Sequence, residues 1–393
     1  MKEWIKISDL LFFQEGPGVR NTQYTQSGVK LLNVANLVNG KVDLSTSDRY
    51  ISEDEAYGRY KHFLCDDGDF IIASSGIKVE YFDRKMGFVD SSMLPLCMNT
   101  STIRFKVIDS KRLNIKYFMY YLKSIHFKQQ LSKFITGSAQ LNFGPSHLKK
   151  MNMPLVSLKE QNDIVEKLSK VELLLDKYNG EIKLLDELIK ARFVEMFGDV
   201  QDAKKNSDKQ LKDICNTVTG GTPSTKHAEY YNGTIPWIST VSLGPNYIDG
   251  TTAKAFITQE AVDNSSTKII PSGSILFGTR VGVGKSSINQ VEMCTNQDIV
   301  AIIDLDESKY NKLYIKYVLD TYQSYFDSIK KGATILGISS DDLKNIYVPD
   351  ASLYEQDRFE KFVKQIDKSR SRIQKSLEAS QELFDSLMQE YFG

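Results

Sequence analysis

The stretch "ILFGTRVGVGKSS", Ile275–Ser287, holds the residue types of a phosphate-binding loop: an apolar run, clustered glycines, then Gly-Lys-Ser. In a nucleotide hydrolase the backbone N–H groups of such a loop cradle phosphates, and the lysine reaches their oxygens. Downstream, "VAIIDLDE" (Val300–Glu307) passes for the acidic strand that holds Mg²⁺. The spacing argues otherwise. The pattern needs four residues between its first glycine and Gly-Lys-Ser, and five separate Gly278 from Gly284. Starting one residue later puts Thr279 where glycine belongs. A helix should follow the lysine, but "SSINQVEMCTNQ" has no helical stripe. "IIDLDE" reads better as a strand running into a turn. What remains is a glycine-rich basic loop after a strand. Its Arg280 and Lys285 suit a phosphate or a guanine edge, with a plain solvent turn as the competing reading.

Other catalytic constellations are missing. The four histidines (His62, His126, His147, His227) are scattered without metal spacing. Cys65, Cys97, Cys215 and Cys294 form no CxxC pair, which points to reduced thiols, a cytoplasmic setting and no zinc site. There is no Pro-Pro dipeptide for an amino-methyltransferase motif, no nuclease spacing after Pro349-Asp350, and no GxSxG. Asp66-Asp67 and Asp341-Asp342 sit where carboxylates cap turns and helices.

The 393 residues suffice for two or three domains, and no apolar run is long enough for a membrane span. Net charge is zero but uneven: residues 1–150 carry 21 Lys+Arg against 15 Asp+Glu, a local excess that a nucleic-acid surface needs.

Self-comparison shows what positions the loops. "LKKMNMPLVSLKEQ" (Leu148–Gln161) matches "LKNIYVPDASLYEQ" (Leu343–Gln356) at an offset of 195, pairing Pro154 with Pro349 and Gln161 with Gln356. The offset runs without a gap to "MFG" (Met196–Gly198) against "YFG" (Tyr391–Gly393), and back to Gly137 against Gly332. Earlier it drifts: "DDGDFII" (Asp66–Ile72) resembles "PSGSILF" (Pro271–Phe277) at 205, and "NTSTIRF" (Asn99–Phe105) resembles "NQDIVAI" (Asn296–Ile302) at 197. Two diverged copies of one module therefore lie in tandem.

Each copy ends in a long helix. Ile164, Leu168, Val171, Leu175, Tyr178, Ile182, Leu185 and Ile189 form a heptad seam. Adding 195 gives Phe359, Val363, Ile366, Arg370, Ile373, Leu377, Ser380 and Phe384, six of them apolar. A helix of about 35–40 residues, roughly 55 Å, cannot bury its stripe on a small domain, so the two are expected to bury theirs on each other, with two separate amphipathic surface helices as the alternative. Polar Arg370 and Ser380 in the seam suit a register-fixing role. Gly198 fits a helix stop. The first 150 residues of each copy read as mixed α/β, with strands at "DFIIASS", "STIRFKVI", "SILFGT" and "DIVAIIDL" and one helix in each, Ile115–Phe134 and Leu313–Lys330. The boundaries are 1–150 and 200–345 for the two domains, and 151–199 and 346–393 for the two helical segments.

This order, with "ARFVEMFGD" (Ala191–Asp199), "GGTPST" (Gly220–Thr225), "YNGTIPWIS" (Tyr231–Ser239), "FGTRVGVGK" and "GSAQLNFGPSHLKK", resembles the specificity subunit of type I restriction-modification systems along the whole chain. The resemblance implies an α+β fold. Two strand-rich target-recognition domains would be joined by two helices forming an antiparallel coiled coil that spaces them, with an internal pseudo-twofold repeat. It implies no catalysis, and a split double-stranded DNA target read one half-site per domain. Its partners would be two methyltransferase (modification) subunits and translocase/endonuclease (restriction) subunits, with S-adenosylmethionine and ATP used there and no cofactor or metal in this chain. DNA-binding candidates under it are Arg20, Ser75, Lys78, Gln140 and Asn142 in copy one. In copy two they are Thr222, Ser224, Lys226, Trp237, Thr279, Arg280, Lys285 and Gln297. Copy one lacks a clear "GGTPS", for which "EGPGVRNTQYT" (Glu15–Thr25) is the candidate counterpart, and lacks the Gly-x-Gly-Lys loop. A DNA-independent adaptor and a P-loop-like NTPase are the alternatives.

Overall fold

A computed structural model describes residues 3–133, 141–200, 207–332 and 334–393. Two compact units emerge: Met1–Tyr178 with Ser376–Gly393 (unit 1), and Asn179–Lys375 (unit 2).

In unit 1 an antiparallel sheet runs in the order Leu11–Glu15, Thr102–Val107, Phe70–Ala73, Met86–Phe88. "FIIA" is buried at every position because both faces of this central strand are covered. Helices Ile115–Lys123 and Ile125–Ser132 pack on the sheet, and Phe118 lies 5.0 Å from the Phe105 ring. The sequence suggests one helix here. Ser124 divides it: its backbone is extended, and its hydroxyl accepts from the Phe127 N–H to start the second helix. A second sheet, Tyr50–Ile51, Val29–Leu32, Leu96–Met98, has its last pair parallel.

Unit 2 repeats this plan. Its main sheet runs Asn216–Thr219, Ile299–Ile303, Ile275–Gly278, Ser286–Asn289, Tyr247–Ile248. Its second sheet is Ala255–Ile257, Ile235–Ile238, Met293–Thr295, Ile269–Ile270. The helix expected at Leu313–Lys330 is again two, Lys312–Thr321 and Gln323–Ile329, parted at Tyr322.

The repeat extends to individual hydrogen bonds. Gln161 accepts from the Asn114 N–H and donates to the Arg112 and Val156 carbonyls. Gln356 does the same with Asn311, Lys309 and Ala351. Each glutamine is fully buried, so its three hydrogen bonds offset the cost of a polar group in the core. Tyr117 donates to the Pro154 carbonyl at 3.0 Å, and Tyr314 to that of Pro349 at 2.7 Å. These residue types recur in both copies because each terminates a backbone group that no strand or helix satisfies.

The long helices are Leu158–Phe197 and Leu353–Phe392. Gly198 stops the first with φ +79°. Every seam position expected from the sequence is buried or half-buried. Within unit 1, Ile164, Leu168 and Val171 are buried, and Leu175 is half-buried like Leu377 and Phe384. Lys167 donates to the Tyr391 hydroxyl, and Tyr120 both bonds Glu172 and faces Phe384. Within unit 2, Phe193 meets Phe359 at 5.4 Å and Arg370 pairs with Asp186. Ile189, Val363 and Phe359 are buried there, with Ile182, Leu185, Ile366 and Ile373 half-buried. In both units the numbers fall on one helix as they rise on the other, so the pairing is antiparallel. Arg370 also lies 4.0 Å from Asp367, which in turn accepts from Asn246. At the equivalent position the first helix carries half-buried Leu175 instead, and the bridge's charges favour one register of the helices.

Candidate nucleic-acid interface

In unit 2, five loops converge at one end of the sheets. The Thr295–Asp298 turn is their hub. The Gly221 N–H donates to the Thr295 carbonyl, and the Gly220 N–H to that of Ile299. A side chain at Gly220 would place its Cβ 2.2 Å from Thr295 Oγ1, so "GGTPST" needs glycine to approach this closely. Thr222 donates to exposed Gln297. Thr279 donates to the Asp298 carbonyl through both its N–H (2.8 Å) and its hydroxyl (3.0 Å). Arg280 points outward, 57 % exposed, with its guanidinium 3.8 Å from the Asp298 carboxylate. Asn296 donates to the same carboxylate at 3.1 Å. Gly278 lies against the Thr240 methyl, and Gly337 against the Arg280 stem.

The geometry sorts the expected residues. Thr222, Arg280 and Gln297 stand exposed around the hub. Thr279 and Trp237 are brought to it but buried. The Trp237 indole donates to the Gly221 carbonyl at 3.0 Å and supports the loop from beneath, presenting no face to solvent. Ser224 and Lys226 are exposed farther along "GGTPST". Lys285 closes the glycine-rich turn, accepting from the Gly278 N–H at 2.9 Å. Gly282 and Gly284 have φ of +70° and +91°, and Val283 between them plugs into the core while Gln323 caps its carbonyl. These glycines serve the turn itself. A strand, Ser286–Asn289, follows Lys285, so no helix N-terminus faces the loop.

Unit 1 builds the same end with different side chains. The Gly16 N–H donates to the Thr102 carbonyl, which places "EGPGVR" where unit 2 has "GGTPST". The Ser74 N–H donates to the Ser101 carbonyl at 2.8 Å, as that of Thr279 does to Asp298. Ser75 bonds Ser101 through their hydroxyls and pairs with exposed Asn142 across a short ladder. Lys78 and Arg20 are exposed on flanking loops. Gln140 lies outside the described residues. Sequence reasoning missed the polar hinge of this end: Asn99 donates to Asn33 at 2.8 Å, and the Arg49 guanidinium lies 5.2 Å over the Tyr24 ring. Nothing in the local pattern joins residues so far apart. Asp298, also missed, carried one signal, its position in the repeat opposite Ser101.

Among the described residues no cluster of three or more His, Cys, Asp or Glu is placed to hold a metal ion, and no helix is long and apolar enough to cross a membrane. Burial pushes the Cys65, Cys97 and Cys215 thiols up to about 12 and that of Cys294 to about 11.

Known proteins agree with this plan. The MjaIX type I restriction enzyme specificity subunit of Methanocaldococcus jannaschii is 33% identical over 175 residues, 44% of this chain and 40% of that protein. The EcoR124I/EcoR124II specificity subunit of Escherichia coli is 27% identical over 294 residues, 70% of this chain and 69% of that one. The chain thus spans less than half the length of the first of these relatives. The crystal structure of a type I restriction-modification S subunit from M. genitalium superposes with TM-score 0.56 at 15% identity, covering 100% of this chain and 96% of that one. A chain from a structure concerned with complex assembly of the type I system gives 0.52, also at 15%, covering 100% and 97%. At that identity the likeness establishes the fold alone. The sequence model described as type I restriction modification DNA specificity domain matches residues 2–185 and again 204–381, and the chain belongs to that family.

Proposed function

We propose that this chain reads a bipartite duplex DNA target, one half-site through the loop end of each unit, and scaffolds the subunits that act on it. The observation that supports this best is the doubled loop end: one backbone framework, with matched hydrogen bonds at Gly16 and Gly220 and at Ser74 and Thr279, carrying different exposed side chains in each copy. A shared frame with different readers is what two unlike half-sites require. The chain performs no catalysis in this reading. Two methyltransferase subunits bring S-adenosylmethionine, translocase/endonuclease subunits bring ATP, and the complex works in the cytoplasm. Selecting duplexes from a random library with the full chain and its methyltransferase subunits tests it. Two conserved blocks separated by a fixed unspecified gap are expected. One continuous block, or no enrichment, overturns the proposal.

A further inference from the structure

Beside Arg280, unit 2 carries a small hairpin whose ends are joined by two hydrogen bonds, Lys331 N–H to the Gly337 carbonyl and Gly337 N–H to the Lys331 carbonyl, each 2.9 Å. Its turn depends on Gly332. With φ +141°, a Cβ there would lie 2.1 Å from the Ile335 carbonyl oxygen. The turn carries Ile335 and Leu336 outward, 57 % and 56 % exposed. The hairpin is anchored to the loop hub, since the Ile338 N–H donates to the Thr279 carbonyl at 2.8 Å. Between hairpin and hub lies an open cleft of about 490 Å³ lined by Arg280, Lys331, Ile335, Ser339 and Asp342. The Asp342 carboxylate is engaged by the Ser339 N–H and hydroxyl. Arg280, though 3.8 Å from Asp298, and Lys331 are both exposed, so solvent reaches each cation.

A lone exposed leucine means nothing, because much of any protein surface is apolar. Here two large aliphatic side chains are adjacent in a turn whose ends are tied by hydrogen bonds. Val281 (49 % exposed) follows Arg280, whose stem lies against Gly337 at the hairpin's end. Cations flank the tip, which favours a polyanion over an apolar protein surface as the occupant. Proteins that kink duplex DNA use this combination, an aliphatic wedge entering a base step with cations on the neighbouring phosphates.

We propose that the Lys331–Gly337 hairpin is a wedge that inserts Ile335 and Leu336 into one base-pair step of the bound duplex while Arg280 and Lys331 hold the adjacent phosphates. This rests on the reading that unit 2 binds DNA. The second copy therefore recognises its half-site partly through the ease with which one step unstacks.

The test uses the full chain and a duplex it selects, with 2-aminopurine placed singly along the half-site read by unit 2. Binding should raise fluorescence several-fold at one step. Ile335→Ala/Leu336→Ala should return that signal to the level of free duplex and weaken specific binding by about tenfold. Ile335→Leu/Leu336→Ile should keep both, and circular dichroism checks that each variant is folded. Specific binding without a bright position, or a bright position that survives the alanine pair, overturns the wedge. So does a variant that loses only its preference for thymine over uracil, which would place these side chains on a methyl in the groove. If the wild-type chain selects no duplex at all, the DNA reading itself fails.

Discussion

Arg104 and Asp69 form a charge pair inside unit 1, with side chains only 7 % and 3 % exposed and 3.2 Å apart. Replacing Arg104 with alanine strands more than its partner. The guanidinium also donates to the Leu64 and His62 carbonyls and to Gln14. Asp69 would keep the Asp66 N–H at 2.8 Å and Lys106 at 3.4 Å, so it is not wholly abandoned. Breaking a buried pair costs about 3–5 kcal/mol, and the partners left to Asp69 place the expected loss near the lower end, about 3 kcal/mol. Unit 2 solves the same position differently. The repeat offsets place Ala301 opposite Arg104 and Ser274 opposite Asp69, both buried and uncharged. Arg104→Ala/Asp69→Ser should therefore lose less than Arg104→Ala alone, by roughly 1–2 kcal/mol, because no uncompensated charge remains. The two tryptophans make the assay specific to each unit: Trp4 lies in unit 1 and Trp237 in unit 2. In a Trp237→Phe background, urea unfolding followed by Trp4 fluorescence reports the first unit. In a Trp4→Phe background, Trp237 should report an unchanged second unit. A double variant as unstable as the single one, or a single variant that loses under about 1 kcal/mol, would refute the reasoning from buried charge.

Arg280→Ala should weaken DNA binding and lower the salt slope by about one unit if it meets phosphate, or relax one base preference at about 1–3 kcal/mol if it meets guanine. Lys254→Ala and Lys309→Ala should do neither, Lys309 being occupied by Asp306 at 2.8 Å. Asp298→Asn should loosen the aim of Arg280 and so broaden base preference more than it changes the salt slope, as read by library selection. Arg370→Leu, which copies Leu175 of the first seam, should change stability by no more than about 1 kcal/mol in urea unfolding, since the bridge to Asp186 is half-exposed. Cys65 and Cys97 should resist iodoacetamide at pH 8 until denaturant is added. Their thiols titrate at about 12 in the folded chain against 9.0 ordinarily, so their contribution to stability is full below pH 9 and is lost as pH rises from 9 towards 12. An alkaline unfolding series checks that direction.

The repeat, the heptad seam and the central strands were legible because each rests on periodicity or self-similarity, which a single chain displays. Leu168 and Phe359 are fully buried where the four-three spacing puts them. The loop end was legible only in part. Arg280 and Gln297 stand exposed at the hub, but Trp237 faces inward because its indole N–H finds the Gly221 carbonyl, a contact set by tertiary approach of two loops. The two glycines after Arg280 invited a ligand reading, whereas positive φ and the seating of Val283 explain them. The breaks at Ser124 and Tyr322 escaped notice because the apolar stripe continues across them. Asp69, just before the strand Phe70–Ala73, and Arg104, on the strand Thr102–Val107, are 35 residues apart, and no local pattern announces such a pair.

The exchange of helix ends has a temporal side. Phe392 seats 5.1 Å from the Tyr117 ring and 6.1 Å from Tyr121, closing the core of unit 1 with residues made after all of unit 2. At about 5–20 residues per second, a ribosome that has finished Tyr178 needs roughly 10–40 s more to reach this phenylalanine. During that interval Tyr117 and Tyr121 keep their partners at Pro154, Asn152 and Phe127 but lack the face that Phe392 covers. A chain that stops within the second copy thus lacks the contacts that Phe392 makes with Tyr117 and Tyr121.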